Sequence, residues 1–297
     1  MTATTVADRD VTITRKVRKP KSSKKLEWGN PFVYFVALCF VALMMSPVVY
    51  LIIGGFRSNS QLTVNPAGWP NPWIMDNYIQ VLQNPVFWRS FMNSTIAAVA
   101  TTIGVVALGL MVSFVLARYS FRGRGFLYTL FVTGLMFPMT VAITPLYILI
   151  RSLHLMNILP GVILPGIAFA LPVTVIILVP FLRAIPNEIQ EAAEIDGCGR
   201  MGFFFRMVLP LSMPGVITVG ILAFIASWNG YMLPLYILND PANATMPLAV
   251  QTFATGQYSA DTAKILAFTS MAMLPAIAFF SLFERRIVGG LTGAVKG

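Results

Sequence analysis

Six stretches of this chain are long and apolar enough to cross a lipid bilayer, and none carries an acid or a base at its centre. They run over about 32–53, 91–117, 126–150, 160–182, 212–238 and 264–283. Crossing the ~30 Å hydrocarbon core takes about 20 largely apolar residues in helical form. A backbone in lipid must satisfy its own hydrogen bonds, and for segments of this length the α-helix does so. The pattern predicts an all-α integral membrane protein with six transmembrane helices. Composition agrees, because 57% of the 297 residues are hydrophobic and 11% charged, outside the range of ordinary soluble domains.

The charges sit in the connections and set the orientation. Eight Lys/Arg lie in residues 1–30, three in 118–125, three in 183–211 and three in the C-terminal tail; Arg57, Arg89, Arg151 and Lys264 lie on the other side. By the positive-inside rule, both termini and the loops 118–125 and 183–211 are cytoplasmic, in a multi-pass membrane protein. The formal net charge of +10 therefore reports orientation and not nucleic-acid binding, which needs a folded basic surface. Residues 1–30 read as a disordered basic cytoplasmic tail, 31–284 as a six-helix transmembrane domain and 285–297 as a cytoplasmic C-terminal tail. The first span is too long for the core of a cleaved signal peptide.

Several chemistries are excluded or left without support. No G-x-x-x-x-G-K-[ST] loop is present to cradle phosphates, so nucleotide chemistry belongs elsewhere. Cys39 lies in a span and Cys198 in the loop 183–211, so they do not pair, and no metal motif is present. His154, the single histidine, reads as a loop residue. The connection 54–90, with Pro66, Trp69, Pro70, Pro72 and Trp73, reads as irregular structure at the outer interface, either anchoring there or receiving a partner. Prolines in the spans (Pro138, Pro145, Pro165, Pro172, Pro180, Pro234, Pro275) predict kinks. Ser94, Ala97, Ala98, Thr101, Thr102, Gly104 and Gly109 predict close helix packing by the second span.

The acids concentrate in one loop. Residues 187–197 read as a helix with Asn187 as N-cap, Gln190 three residues on and Glu188 in the first turn. At about 100° per residue, Ile189, Ala192, Ala193 and Asp196 share one face and Glu188, Glu191 and Glu194 the other, with Gly197 ending the helix. A headgroup-lying amphipathic helix is the competing reading, but that would place Lys and Arg on the polar face.

Glu191-Ala192-Ala193, Gly197 four residues after the second alanine, and Met207-Val208-Leu209-Pro210 together resemble the EAA loop of ATP-binding-cassette importer permeases. Met207 stands where Ile is usual. Asn93-Ser94, Ala117-Arg118-Tyr119-Ser120-Phe121-Arg122-Gly123, Pro145-Leu146-Tyr147, Ser227-Trp228-Asn229 and Met246-Pro247-Leu248 resemble carbohydrate permeases of the maltose-transporter type. The ending Gly289-Gly290-Leu291-Thr292-Gly293-Ala294-Val295-Lys296-Gly297 is similar to that of the smaller, six-span permease of such pairs, one residue shorter between Leu291 and Ala294.

The resemblance implies a type I importer permease fold with a cytoplasmic coupling helix. Glu191, Ala192, Ala193, Asp196 and Gly197 would engage an ATPase, and Leu291, Thr292 and Lys296 would reach between two ATPase subunits. Its implied partners are a second permease subunit, two ATPase subunits that bind ATP and Mg, an extracytoplasmic sugar-binding protein, a sugar and membrane lipid. Asp196 either meets a donor on the ATPase or caps the next short helix. Trp228, Asn229 and Tyr231 offer the aromatic faces and amide that sugars use, or else serve interhelical packing. An importer of a non-sugar solute and an ion-coupled secondary carrier are the alternatives; a carrier usually needs charged groups inside its spans.

Overall fold

The computed structural model describes residues 31–256 and 260–295, with side chains as far as Phe283. The chain divides at Ser46 into two units. The first holds the opening turns of α1 (Pro31–Gly55), whose large side chains from Phe32 to Met45 are exposed. A helix apolar on every side suits lipid and not water.

The second unit begins with the rest of α1, followed by two short helices in a segment expected to be irregular. α2 (Asn59–Val64) opens on a capping box, Ser58 Oγ accepting from the Gln61 N–H and Gln61 Oε1 from the Ser58 N–H, each at 3.2 Å. Arg57 closes its other end. Only 2% exposed, its guanidinium donates to the carbonyls of Gln61 at 2.7 Å, Pro66 at 2.8 Å and Asn65, since a buried charge needs such partners. α3 (Asp76–Gln83) follows; Trp69 and Trp73 remain exposed between the two. Asn59 reaches Asp261 at 3.1 Å, and Lys264 pairs with Asp261 at 3.0 Å. Burial would raise the Asp261 carboxyl, but Lys264 and the Asn59 amide hold it below its usual value.

α4 (Pro85–Arg118) carries 34 residues and, after Pro85, no proline. The expected third span is two helices, α5 (Arg124–Gly134) and α6 (Met139–Ser152), bent by 103°. The ladder tightens to three-residue steps at Leu135, Met136 and Phe137 because Pro138 supplies no N–H and disfavours helical backbone before it. α7 (Pro160–Arg183) crosses with three internal prolines. Beyond it come α8 (Asn187–Ile195), α9 (Arg200–Phe203), a π-turn (Phe204–Val208) and α10 (Leu209–Leu211). A 76° bend precedes α11 (Met213–Trp228).

The expected fifth span, 212–238, breaks between α11 and α12 (Met232–Ile237). A 3-10 turn (Pro241–Asn243), α13 (Met246–Thr255) and α14 (Thr262–Val295) complete the fold. The described residues thus hold four helices able to cross a membrane, or six spans when each bent pair counts as one.

α4 packs along α7 and α11, and α11 packs along α14. The small residues of α4 make this possible: Ser94, Ala97, Ala98, Thr101 and Gly109 are buried. A Cβ on Gly104 would meet Ile167 at 2.3 Å, and one on Gly109 would meet Thr174 at 2.3 Å. Two apolar cores lie toward opposite ends of these helices. One gathers Phe87, Ile150, Ile237, Met246 and Phe268; the other gathers Phe114, Leu182, Ala193, Phe203 and Val208.

Candidate functional site

The acidic helix α8 begins one residue earlier in its cap than the sequence suggests. Pro186, with φ −56° and ψ 144°, is the N-cap, and no side chain caps the helix. Asn187 is instead the first helical residue, and its Oδ1 accepts from Arg118 Nη1 at 2.9 Å. A second Arg118 nitrogen, Nη2, donates to the Ile185 carbonyl at 2.7 Å. Gln190 donates to Glu194 at 3.1 Å, one turn on, and so does not close a capping box.

The apolar face expected for α8 is split. Ala193 is buried, and Ile189 packs beside it on the second core. Ala192 is exposed because successive helical residues point ~100° apart, and Asp196 is exposed as the C-cap beyond the last helical residue. The outward face therefore carries Glu188, Glu191, Ala192 and Ile195, the last 86% exposed.

Gly197 ends the helix as expected, and the geometry explains why it is glycine. Its φ is +75°, the left-handed region that costs other residues roughly 1–2 kcal/mol. The Cys198 N–H bonds to the Ala193 carbonyl at 2.8 Å and the Gly197 N–H to that of Glu194 at 3.0 Å, the paired bonds of a Schellman motif. Asp196 does not cap the next helix: α9 is capped by Gly199, with no side-chain hydrogen bond. The π-turn places Val208 wholly inside and leaves Phe205 and Met207 exposed. Ser212 Oγ then donates to the Val208 carbonyl at 2.6 Å.

A cavity of about 670 Å³ opens among α4, α6, α7, α11 and α12. Its polar lining comes from Thr101, Thr174, Ser227, Asn229 and Tyr231, and Phe169 and Tyr231 supply its aromatic rings. Asn229 and Tyr231 reach it because α11 stops at Trp228, and the unwound residues between α11 and α12 carry them there. Trp228 does not line the cavity. At 3% exposure it stacks on Phe224 at 6.0 Å and meets Phe91 edge-on at 5.8 Å, so it packs behind the wall.

Two motif fragments far apart in the chain prove to be one structure. Asn93 donates to the carbonyls of Ala242 and Ala244 at 3.0 and 3.1 Å, and Ser94 Oγ accepts from the Met246 N–H at 2.7 Å. Asn157, which no sequence pattern singles out, accepts from the Asn239 and Asp240 N–H groups through its side chain and from the Asn243 amide through its carbonyl. Arg57 was likewise invisible as a structural residue, and Arg118 stood only inside a motif, with no sign of its contact with α8. Leu291 and Thr292 lie on the backbone of α14, their side chains outside the described residues. Lys296 and residues 1–30 also lie outside the described residues.

Residues 105–289 match the family model described as "Binding-protein-dependent transport system inner membrane component". The chain is 33% identical to the diacetylchitobiose uptake system permease protein NgcG of Streptomyces coelicolor, over 84% of this chain and 83% of that one. It is 32% identical to the arabinooligosaccharides transport system permease protein AraQ of Halalkalibacterium halodurans, over 94% and 100%. Its fold is similar to a chain of a bacterial ABC transporter involved in the import of the acidic polysaccharide alginate. That match has TM-score 0.75 and 19% identity, covering 86% of this chain and 95% of the other.

Proposed function

The chain belongs to the family of inner membrane components of binding-protein-dependent transport systems, and from this we propose that it is the permease subunit of an ATP-driven oligosaccharide importer. The chain is a transport subunit and not an enzyme. α8 acts as its coupling helix, with both termini and α8 on the cytoplasmic side. The observation that carries this reading is the outward face of α8, an acidic and apolar surface built on a packed base. Four of the chain's eleven acids fall between Glu188 and Asp196 in a chain of net charge +10. Glu188 and Glu191 take no ion pair or hydrogen bond among the described residues. A groove on a separate ATPase, with cationic donors around an apolar floor, complements that face.

Burying the exposed Ile195 side chain is worth about 1.5–3 kcal/mol. Shifting a two-state equilibrium from 1:99 to 99:1 takes about 5.5 kcal/mol, more than Ile195 alone supplies. Coupling requires only that these contacts differ between the two states of the permease. ATP and Mg are held by the ATPase subunits, and a second permease subunit completes the pathway. An extracytoplasmic binding protein delivers the cargo.

The cavity supports the substrate reading. It has an aromatic ring, an amide and hydroxyls, the groups that recognise sugars, and its lining contains no charged residue. The relatives named for diacetylchitobiose and arabinooligosaccharides point the same way. Uptake of labelled mono- and oligosaccharides in a strain lacking the chain tests this. We expect one oligosaccharide to lose ATP-dependent uptake and to regain it with the restored gene, while Asn229→Leu restores it poorly despite normal membrane levels. Loss of a peptide or other solute, with no sugar affected, overturns the sugar assignment.

A further inference from the structure

We propose that Arg118 and Tyr119 form a clasp that fixes the coupling helix to α4, so that movement of α8 reaches the cavity wall through α4. This rests on the coupling role proposed for α8. The chain itself joins α8 to α7 on one side and, through α9, the π-turn and α10, to α11 on the other. α4 has no covalent neighbour in this loop, yet it grips both ends of it.

At the entrance, Arg118 holds Asn187 Oδ1 at 2.9 Å and the Ile185 carbonyl at 2.7 Å. Beyond the exit, the Arg200 guanidinium lies 5.2 Å from the centre of the Tyr119 ring, a cation–π distance. Phe114, one turn back on α4, meets Tyr119 edge-on at 5.4 Å and packs on Phe203 at 6.2 Å and Phe204 at 5.2 Å. The loop is thus held at two separated points by consecutive residues of one helix terminus.

Stiffness distinguishes the three routes from this loop to the cavity. On α7, Pro180 lies between the cavity residue Thr174 and the loop and removes a ladder hydrogen bond on that route. The route into α11 crosses a π-turn and a 76° bend. α4 runs from Thr101, on the cavity wall, to Arg118 with no proline and no break, a rod of about 25 Å at 1.5 Å per residue. A push on α8 is therefore transmitted with least loss through α4, and Arg118 is the positioning residue that makes the connection.

The test uses the complete transporter with its ATPase subunits, companion permease and binding protein, reconstituted in vesicles. Uptake and ATP hydrolysis are measured together. Arg118→Ala is expected to keep the ATPase subunits bound and to lower sugar transported per ATP by about tenfold, within the usual range of coupling between sites. Arg118→Lys, able to keep one of the two hydrogen bonds, should recover part of that ratio. Asn187→Ala should add nothing on top of Arg118→Ala.

Should Arg118→Ala fail to accumulate, Tyr119→Leu removes the cation–π contact while keeping an apolar side chain, and it should lower the same ratio. An unchanged ratio in both variants, or equal falls in hydrolysis and uptake, overturns the clasp. Ala192→Trp on the outward face separates this from the underlying reading. If that variant leaves transport and ATPase binding intact, the coupling role of α8 falls; if it abolishes transport while the Arg118 ratio is unchanged, the clasp alone falls.

Discussion

At Gly197 the need for glycine is purely conformational. A Cβ there would meet nothing within 4 Å, yet φ is +75°. Gly197→Ala should therefore cost only the backbone term, about 1–2 kcal/mol, with no clash in the core. Its expected effect is a frayed end of α8 and weaker retention of the ATPase during purification, with the permease's own melting temperature little changed; a large fall in that temperature would place Gly197 in the core after all. The glycine was legible from sequence as a helix terminator, but the paired bonds that use it were not. Asp196 shows the complementary limit. An acid before a short helix reads equally as a cap or as a free carboxylate, and only the observed cap at Gly199 separates the two. Trp228 and Asn229 offered the same sugar-binding chemistry on paper. Their separation by one residue at a helix end turned Trp228 into the packed side and Asn229 into the cavity.

Among the elements, α4 is where the sequence was most informative. Its small residues predicted close packing, and Gly104 and Gly109 sit against Ile167 and Thr174 on α7. Gly109→Leu should overpack that contact, costing typically 1–3 kcal/mol, and lower the melting temperature of the detergent-solubilised protein; an unchanged melting temperature would mean that the α4–α7 contact is looser than it stands here. The third span is where the sequence was least informative. Hydropathy measures how far an apolar segment extends, not its direction, so 126–150 read as one helix. Pro138 marked the place of the bend, but a proline alone does not dictate 103°. The same applies to 212–238: an apolar run continued across Asn229, Gly230 and Tyr231, and the break there opens the polar wall of the cavity.

For the molecule as a whole, the proposed orientation has a direct test. In a background with Cys39 and Cys198 replaced, Trp69→Cys should react with a membrane-impermeant maleimide in intact cells. Ser120→Cys should react only after the membrane is opened, and the reverse pattern would invert the topology. These two sites lie at opposite ends of a bundle whose apolar cores flank the cavity. What the sequence by itself determined was the all-α membrane class, the apolar segments and the acidic loop helix. Partition of side chains into lipid and the period of a helix are local properties, and they add along the chain. Only the tertiary structure decided that Ala193 faces inward and Ala192 outward, that Asn93 meets Ala244, and that Arg118 reaches Asn187 across 69 residues. Those facts depend on how remote segments pack side by side, and no local pattern of residues encodes that.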